Sequence, residues 1–126
     1  MALCVVHTTR MNFGSYVRAV RERRRETEGR YSVRQVAQRV GVEPAYLSKI
    51  ERGEQPPPSE ATIRRLAVDL GEDVDVLLAL AGKISGDLRE VICRRPQLFG
   101  ALIRELKEMP DHAILRIVRE VRDGEW

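Results

Sequence analysis

Residues 32–53, SVRQVAQRVGVEPAYLSKIERG, decide the fold because they predict two short helices joined by a tight turn. The first helix carries apolar residues at the three-and-four spacing that places them on one buried face: Val33, Val36, Ala37 and Val40. Gly41 ends this helix, since a residue without Cβ enters the left-handed conformation at little cost. Pro44 suits the first position of the second helix, where its missing N–H would be unpaired anyway. Leu47 and Ile50 give the second helix an apolar edge, so both helices are expected to pack on one core.

A small residue, a glycine turn and a short helix with a polar outer face make up a helix-turn-helix, whose second helix fits a DNA major groove about 12 Å wide. Ala37, Gly41 and the run YLSKIERG at 46–53 resemble the phage-repressor (xenobiotic-response-element, Cro-like) class of helix-turn-helix regulators. The resemblance covers roughly residues 13–81. It implies an all-α fold with a five-helix lambda-repressor-like domain that binds double-stranded DNA. The predicted function is therefore sequence-specific transcriptional regulation, most simply by a repressor.

The charge of the chain is concentrated around this motif. Residues 10–52 hold 11 Lys/Arg against 5 Asp/Glu, residues 53–82 hold 2 against 6, and residues 83–126 hold 9 against 8. A solvated surface would also explain a basic block, but its coincidence with the motif favours a phosphate-binding face. A further helix is predicted before the motif, from Phe13 to about Glu28, and five arginines are expected around its outer surface: Arg18, Arg21, Arg23, Arg24 and Arg25.

Composition excludes several other classes of protein. No apolar run approaches the ~20 residues of a membrane helix, and no signal peptide is visible, so we expect a cytoplasmic protein without membrane contact. Two cysteines make no disulfide framework. Cys4 and His7 have a metal-like spacing, but further ligands are too few for a site. We predict no catalytic residues, no metal and no cofactor. An enzyme is not expected, because neither histidine has a nearby acid–nucleophile pattern and no Gly-rich phosphate loop is present. Cys93 beside two arginines is either a redox thiol or, as we favour, a buried inert cysteine.

Three parts are expected along the chain: an arm at 1–10, a helix-turn-helix domain at 11–82 and a helical extension at 83–126. The arm has no helical repeat and is an upstream start, a disordered arm or a short added strand. The extension contains two or three amphipathic helices. Its apolar stripes predict a homodimer seam or a partner interface, formed by Leu98, Phe99, Leu102, Ile103, Leu106, Ile114 and Val118.

The first residues of the second motif helix face base edges in a helix-turn-helix. The positions predicted to read bases are Glu43, Pro44, Ala45, Ser48 and Lys49. Lys49 can donate to guanine, Glu43 can accept from the cytosine amino group, and Ala45 or Pro44 can touch a thymine methyl. Family members often carry an amide near positions 44 and 45. Its absence here predicts sparse direct readout and a larger contribution from DNA shape.

A second set of side chains is expected to bind phosphates, which position the protein without reading sequence. The set comprises Ser32, Arg34, Gln35, Arg39, Tyr46 and Arg52. Tyr46 reaches a phosphate or lies across the helix pair, and both alternatives stay open. For Arg52 the alternative is a local ion pair with Glu51, and the family resemblance favours the phosphate.

The sequence is compatible with two functions. Because one short helix reads only a few base pairs, a regulator of this class is expected to bind a palindromic operator as a homodimer. The alternative is an antitoxin-like or adaptor module, whose C-terminal helices bind a partner protein.

Overall fold

A computed structural model describes residues 12–124, and in this range the chain forms α-helices and no strand. The helices are α1 Phe13–Thr27, α2 Val33–Val40, α3 Pro44–Glu51, α4 Glu60–Leu70, α5 Val74–Leu80, α6 Gly86–Arg94, α7 Pro96–Leu106 and α8 Asp111–Asp123. The all-α fold predicted from the sequence, with five helices followed by a helical extension, is confirmed.

The described chain divides into two compact units, one with α1–α5 at 12–85 and one with α6–α8 at 86–124. The sequence placed this boundary after residue 82. The first unit continues to Ser85, whose side chain is buried. The predicted arm at 1–10 lies outside the described residues.

Local capping explains where the helices of the first unit begin and end. Asn12 Oδ1 accepts a hydrogen bond from Ser15 N at 2.8 Å and starts α1. A capping box begins α2: Ser32 N donates to Gln35 Oε1 and Gln35 N donates to Ser32 Oγ. Gly41 ends α2 with φ of 88°, as predicted for a residue without Cβ.

The core of the first unit is aliphatic, with two aromatic side chains. The buried residues are Phe13, Val17, Val20, Tyr31, Val36, Ala37, Val40, Leu47, Ile50, Ile63, Leu66, Ala67, Leu70, Leu77 and Leu78. They come from α1–α5 and from Tyr31, the residue before the α2 cap. The helix pair α2–α3 is therefore one side of a five-helix core and not a free-standing hairpin.

The second unit has a different balance of burial. None of the described residues in α6–α8 is fully buried, although all three helices are amphipathic. Of the predicted seam, Leu98, Leu102, Ile103 and Val118 are exposed, Leu98 to 69%. The other three predicted seam residues are half-buried: Phe99, Leu106 and Ile114.

Candidate nucleic-acid interface

Helix α3 is anchored along its inner side by apolar packing against two other helices. Leu47 and Ile50 are each 2% exposed, and α3 packs on both α1 and α2. Burying a Leu or Ile side chain is worth about 1.5–3 kcal/mol, so these two side chains determine which face of α3 points outward.

A buried ion pair fixes the end of the same helix. Arg21 Nε donates to Glu51 Oε2 at 2.8 Å and Arg21 Nη2 donates to Glu51 Oε1 at 2.8 Å, so the pair is bidentate. Arg21 Nη1 also donates to the Tyr31 carbonyl oxygen at 3.2 Å. Both charged residues are nearly inaccessible, at 4% for Arg21 and 6% for Glu51. The expectation that all five α1 arginines lie on its outer surface is wrong for Arg21, because its charge is paired and hydrogen-bonded inside the domain.

The first turn of α1 approaches the end of α3 closely. A Cβ atom built on Gly14 would lie 2.2 Å from the Ile50 carbonyl oxygen and 3.0 Å from that of Glu51. Only glycine allows the backbones to come this near. Two residues of α1 therefore position α3: Gly14 allows the close approach and Arg21 binds Glu51. The sequence analysis predicted neither role.

The outer side of α3 carries the predicted base-reading residues. Glu43, Ala45 and Lys49 are exposed, while Pro44 and Ser48 are half-buried. Glu43 occupies the N-cap position, but its side chain makes no capping hydrogen bond. The structure thus brings these five side chains together on one short helix and leaves two of their charges, on Glu43 and Lys49, facing solvent.

Arg52, at the end of α3, is bound to acceptors within the domain. Its Nε donates to Glu54 Oε2 at 2.6 Å, and its Nη1 donates to Ser48 Oγ. The hydrogen bond to Glu54 raises the pKa of Arg52, and it holds the pKa of Glu54 below its usual value. The local pair expected as an alternative for Arg52 is therefore made with Glu54, since Glu51 is taken by Arg21.

The start of α2 supplies three of the predicted phosphate ligands. Ser32 and Gln35 use their side chains to cap the helix. Arg34, between them in the sequence, is exposed. Within the described range, the side chain of Arg34 makes no hydrogen bond or ion pair. The positive end of the helix dipole and this guanidinium both favour an anion here.

Two further predicted phosphate ligands are engaged in the fold. Arg39 makes a bidentate pair with Asp69, at 2.6 Å from Nε and 3.1 Å from Nη2, and its guanidinium lies 5.0 Å from the centre of the Tyr31 ring. It would have to leave this pair to contact DNA. Tyr46 is half-buried and packs against the core. The phosphate role of both residues stays a prediction.

This arrangement defines a class of protein. A short helix held by its neighbours, with a polar outer side and a glycine turn before it, is a helix-turn-helix within a five-helix domain. Residues 12–80 match the family described as "Helix-turn-helix domain", which is more than half of the chain. The chain therefore belongs to the helix-turn-helix domain family, and the resemblance stated from the sequence is confirmed.

A relative in Bacillus subtilis (strain 168) is described as "Uncharacterized HTH-type transcriptional regulator RghRB". The two chains are 37% identical over 79 residues, which is 63% of this chain and 53% of the relative. This chain thus spans about half the length of that protein. No solved structure matches the chain. Among the described residues, no helix is both long and apolar enough to span a membrane.

Proposed function

We propose that this protein is a sequence-specific DNA-binding transcriptional regulator that acts as a repressor. The observation that carries the proposal is the division of α3 into two sides. Leu47 and Ile50 hold the inner side, while Glu43, Ala45 and Lys49 stand in solvent on the outer side. A helix with this division can enter a major groove without disturbing the core. A repressor needs nothing more than occupancy of DNA at a promoter.

Base contacts are assigned by the chemistry of the outer side chains. Lys49 donates to guanine O6 and N7, Glu43 accepts from a cytosine amino group, and Ala45 or Pro44 contacts a thymine methyl. Ser48 contributes less, because its hydroxyl already accepts a hydrogen bond from Arg52. With so few polar groups on α3, part of the specificity comes from the shape of the DNA.

Phosphate contacts are assigned to the N-terminal end of α2 and to the end of α3. Arg34 is the primary contact because it is exposed and makes no ion pair within the described chain. Arg52 is the second, once it exchanges its carboxylate partner. The excess of 6 positive charges over residues 10–52, from 11 Lys/Arg and 5 Asp/Glu, supplies the attraction to DNA.

Two variants of the full chain test the assignment of roles. Operators are first selected from a random duplex library, and the protein's own upstream region is footprinted. Arg34→Ala should weaken binding to all duplexes alike. Lys49→Ala should instead reduce the preference for one base at one position per half-site, and the difference in binding free energy between bases there should change by about 1–3 kcal/mol. Arg119→Ala, which removes the same charge from an exposed position of α8, is the control. Equal losses on operator and random DNA for Lys49→Ala would remove this residue from the base-reading set.

We further propose that the regulator binds a palindromic operator as a homodimer joined through α6–α8. This unit buries no described residue completely, and its nearly balanced charge does not favour DNA. Full burial of an exposed Leu or Ile side chain stabilises by about 1.5–3 kcal/mol, so packing of these helices against a second copy of the chain is favourable. Two copies would place their α3 helices about 34 Å apart, one turn of DNA.

Sedimentation of full-length variants tests the dimer. Ile103→Glu puts a charge on the exposed apolar side of α7 and should give a monomer that binds the operator weakly. Gln97→Glu adds the same charge at an exposed polar position of α7 and should leave the dimer intact. Truncation after Ser85, where the first unit ends, should also give a monomer. A truncated protein that still sediments as a dimer would place the interface in the first unit.

The exposed apolar side chains of α6–α8 also support a second candidate, an antitoxin-like or adaptor function. In that case these helices would bind a different protein. A full-length chain that is monomeric at micromolar concentration, yet binds its operator, would favour this alternative over the homodimer.

A further inference from the structure

The guanidinium of Arg52 already binds an anion, the carboxylate of Glu54. Its Nε donates to one oxygen of Glu54 at 2.6 Å and its Nη2 donates to the other at 3.4 Å. Two N–H groups on one edge of the guanidinium facing two oxygens form the same fork that arginine offers to phosphate. Glu54 therefore occupies the edge of Arg52 best suited to DNA.

The pair lies at the exposed end of α3 and is open to exchange. Arg52 also donates to Ser48, one turn earlier on α3, so its guanidinium lies along the face that carries the base-reading positions. The side chains of Arg52 and Glu54 are 46% and 54% exposed. Exposed pairs of this kind contribute little to stability, so the exchange of Glu54 for a phosphate is not opposed by the fold.

A second arginine–carboxylate pair shows the contrast. Arg39 and Asp69 are 28% and 14% exposed, and Arg39 also lies over the Tyr31 ring. That pair joins α2 to α4 as part of the domain. The pair of Arg52 connects nothing but the end of α3 to the residues that follow it, so it has no comparable structural role.

We propose that Glu54 competes with DNA phosphate for Arg52 and thereby lowers the affinity of this protein for DNA of any sequence. The inference rests on the proposed DNA-binding function. Without DNA the two charges cancel, so Arg52 contributes almost nothing to the attraction of the duplex, and its phosphate contact requires one anion to replace another. An exposed glutamate is ionised at neutral pH, and the hydrogen bond from Arg52 lowers the pKa of Glu54 further, so the competitor is charged.

The test uses the full chain with Glu54→Gln and two unrelated duplexes of about 30 base pairs at about 50 mM KCl. The variant should bind both duplexes about 3-fold or more tightly, by equal factors, because phosphates carry no sequence information. Its plot of log K against log salt should be steeper by about 1 for each bound copy. Its thermal midpoint should equal that of the wild type.

Two controls separate competition from a general charge effect. Glu22→Gln changes the net charge identically at another exposed pair, since Arg18 and Glu22 are 54% and 53% exposed on α1. The affinity of Glu22→Gln for DNA should stay within about 2-fold of that of the wild type, because an exposed ion pair contributes little energy. The second control combines Arg52→Ala with Glu54→Gln: without Arg52, the Glu54 substitution should no longer tighten binding.

Each other outcome has a definite meaning. Weaker binding by Glu54→Gln would show that Glu54 orients Arg52 and would overturn the inference. A gain that persists in the Arg52→Ala background, or that Glu22→Gln reproduces, would assign the effect to unspecific repulsion and also overturn it. A wild-type protein that binds neither duplex at low salt would instead refute the proposed function itself, and the inference with it.

Discussion

Removing the carboxylate of Glu51 should destabilise the first unit more than any exposed substitution. In Glu51→Ala, the buried guanidinium of Arg21 loses both of its 2.8 Å partners and keeps only the Tyr31 carbonyl oxygen. An uncompensated buried charge costs about 3–5 kcal/mol. Since 1 kcal/mol shifts the midpoint of a domain of 60–100 residues by about 4–8 °C, we expect a fall of more than about 10 °C.

Urea unfolding followed by far-UV and near-UV circular dichroism measures the loss. The near-UV band of the tyrosines reports on the first unit, because Tyr16, Tyr31 and Tyr46 all lie in it. The control Glu22→Ala breaks an exposed pair and should change the free energy of unfolding by no more than about 0.5 kcal/mol.

A double variant tests whether the cost comes from the orphaned charge. Arg21→Met combined with Glu51→Leu replaces the pair by apolar side chains, and such replacements are often neutral or stabilising by about 1–4 kcal/mol. The double variant should therefore recover most of the stability lost by Glu51→Ala. If Glu51→Ala and Glu22→Ala lost equal amounts, the pair would be solvated in solution and the reasoning would be refuted.

Two other substitutions follow from contacts of α1. Gly14→Ala places a Cβ atom 2.2 Å from the backbone oxygen of Ile50 and should lower the free energy of unfolding in denaturant by about 1–3 kcal/mol. The control Gly29→Ala adds a Cβ atom with no other atom within 4 Å and should not lower it. Equal effects of the two substitutions would contradict the close approach. The Tyr16 hydroxyl donates to Glu72 at 2.6 Å, and this hydrogen bond raises the pKa of Tyr16 above 10.0. The stability that the bond gives to the fold is therefore complete below pH 10.0 and is lost as the pH rises through the folded-state pKa of Tyr16. Unfolding titrations should show a steeper alkaline loss for wild type than for Tyr16→Phe, and parallel curves would contradict the assignment.

Local patterns were sufficient for the helices and for the apolar side of the motif. Val36 and Leu47 were predicted to be buried because helical periodicity is a property of neighbouring residues. Arg21 was not, because its partner lies 30 residues away and nothing local distinguishes it from the other arginines of α1. Gly14 did carry a signal, since a glycine inside a helix often marks a close approach.

The exposure of the predicted base-reading residues followed from the sequence, whereas the ion pairs of the predicted phosphate ligands did not. The sequence indicated that Ala45 and Lys49 lie outside, and they are exposed. That Arg39 is bound by Asp69 depends on the packing of α2 against α4, which no local pattern encodes. The partner of Arg52 could have been predicted from the sequence, because Glu54 is only two residues away.

The separation of tasks along α3 has a consequence for how this protein can change over generations. Stability resides in Leu47, Ile50 and the Glu51 pair, whereas positions 43, 45 and 49 touch solvent and carry almost none of it. Exposed substitutions usually change stability by no more than about 0.5 kcal/mol. If these positions read bases as proposed, a duplicated copy of this chain can acquire new target sites one residue at a time while every intermediate remains folded.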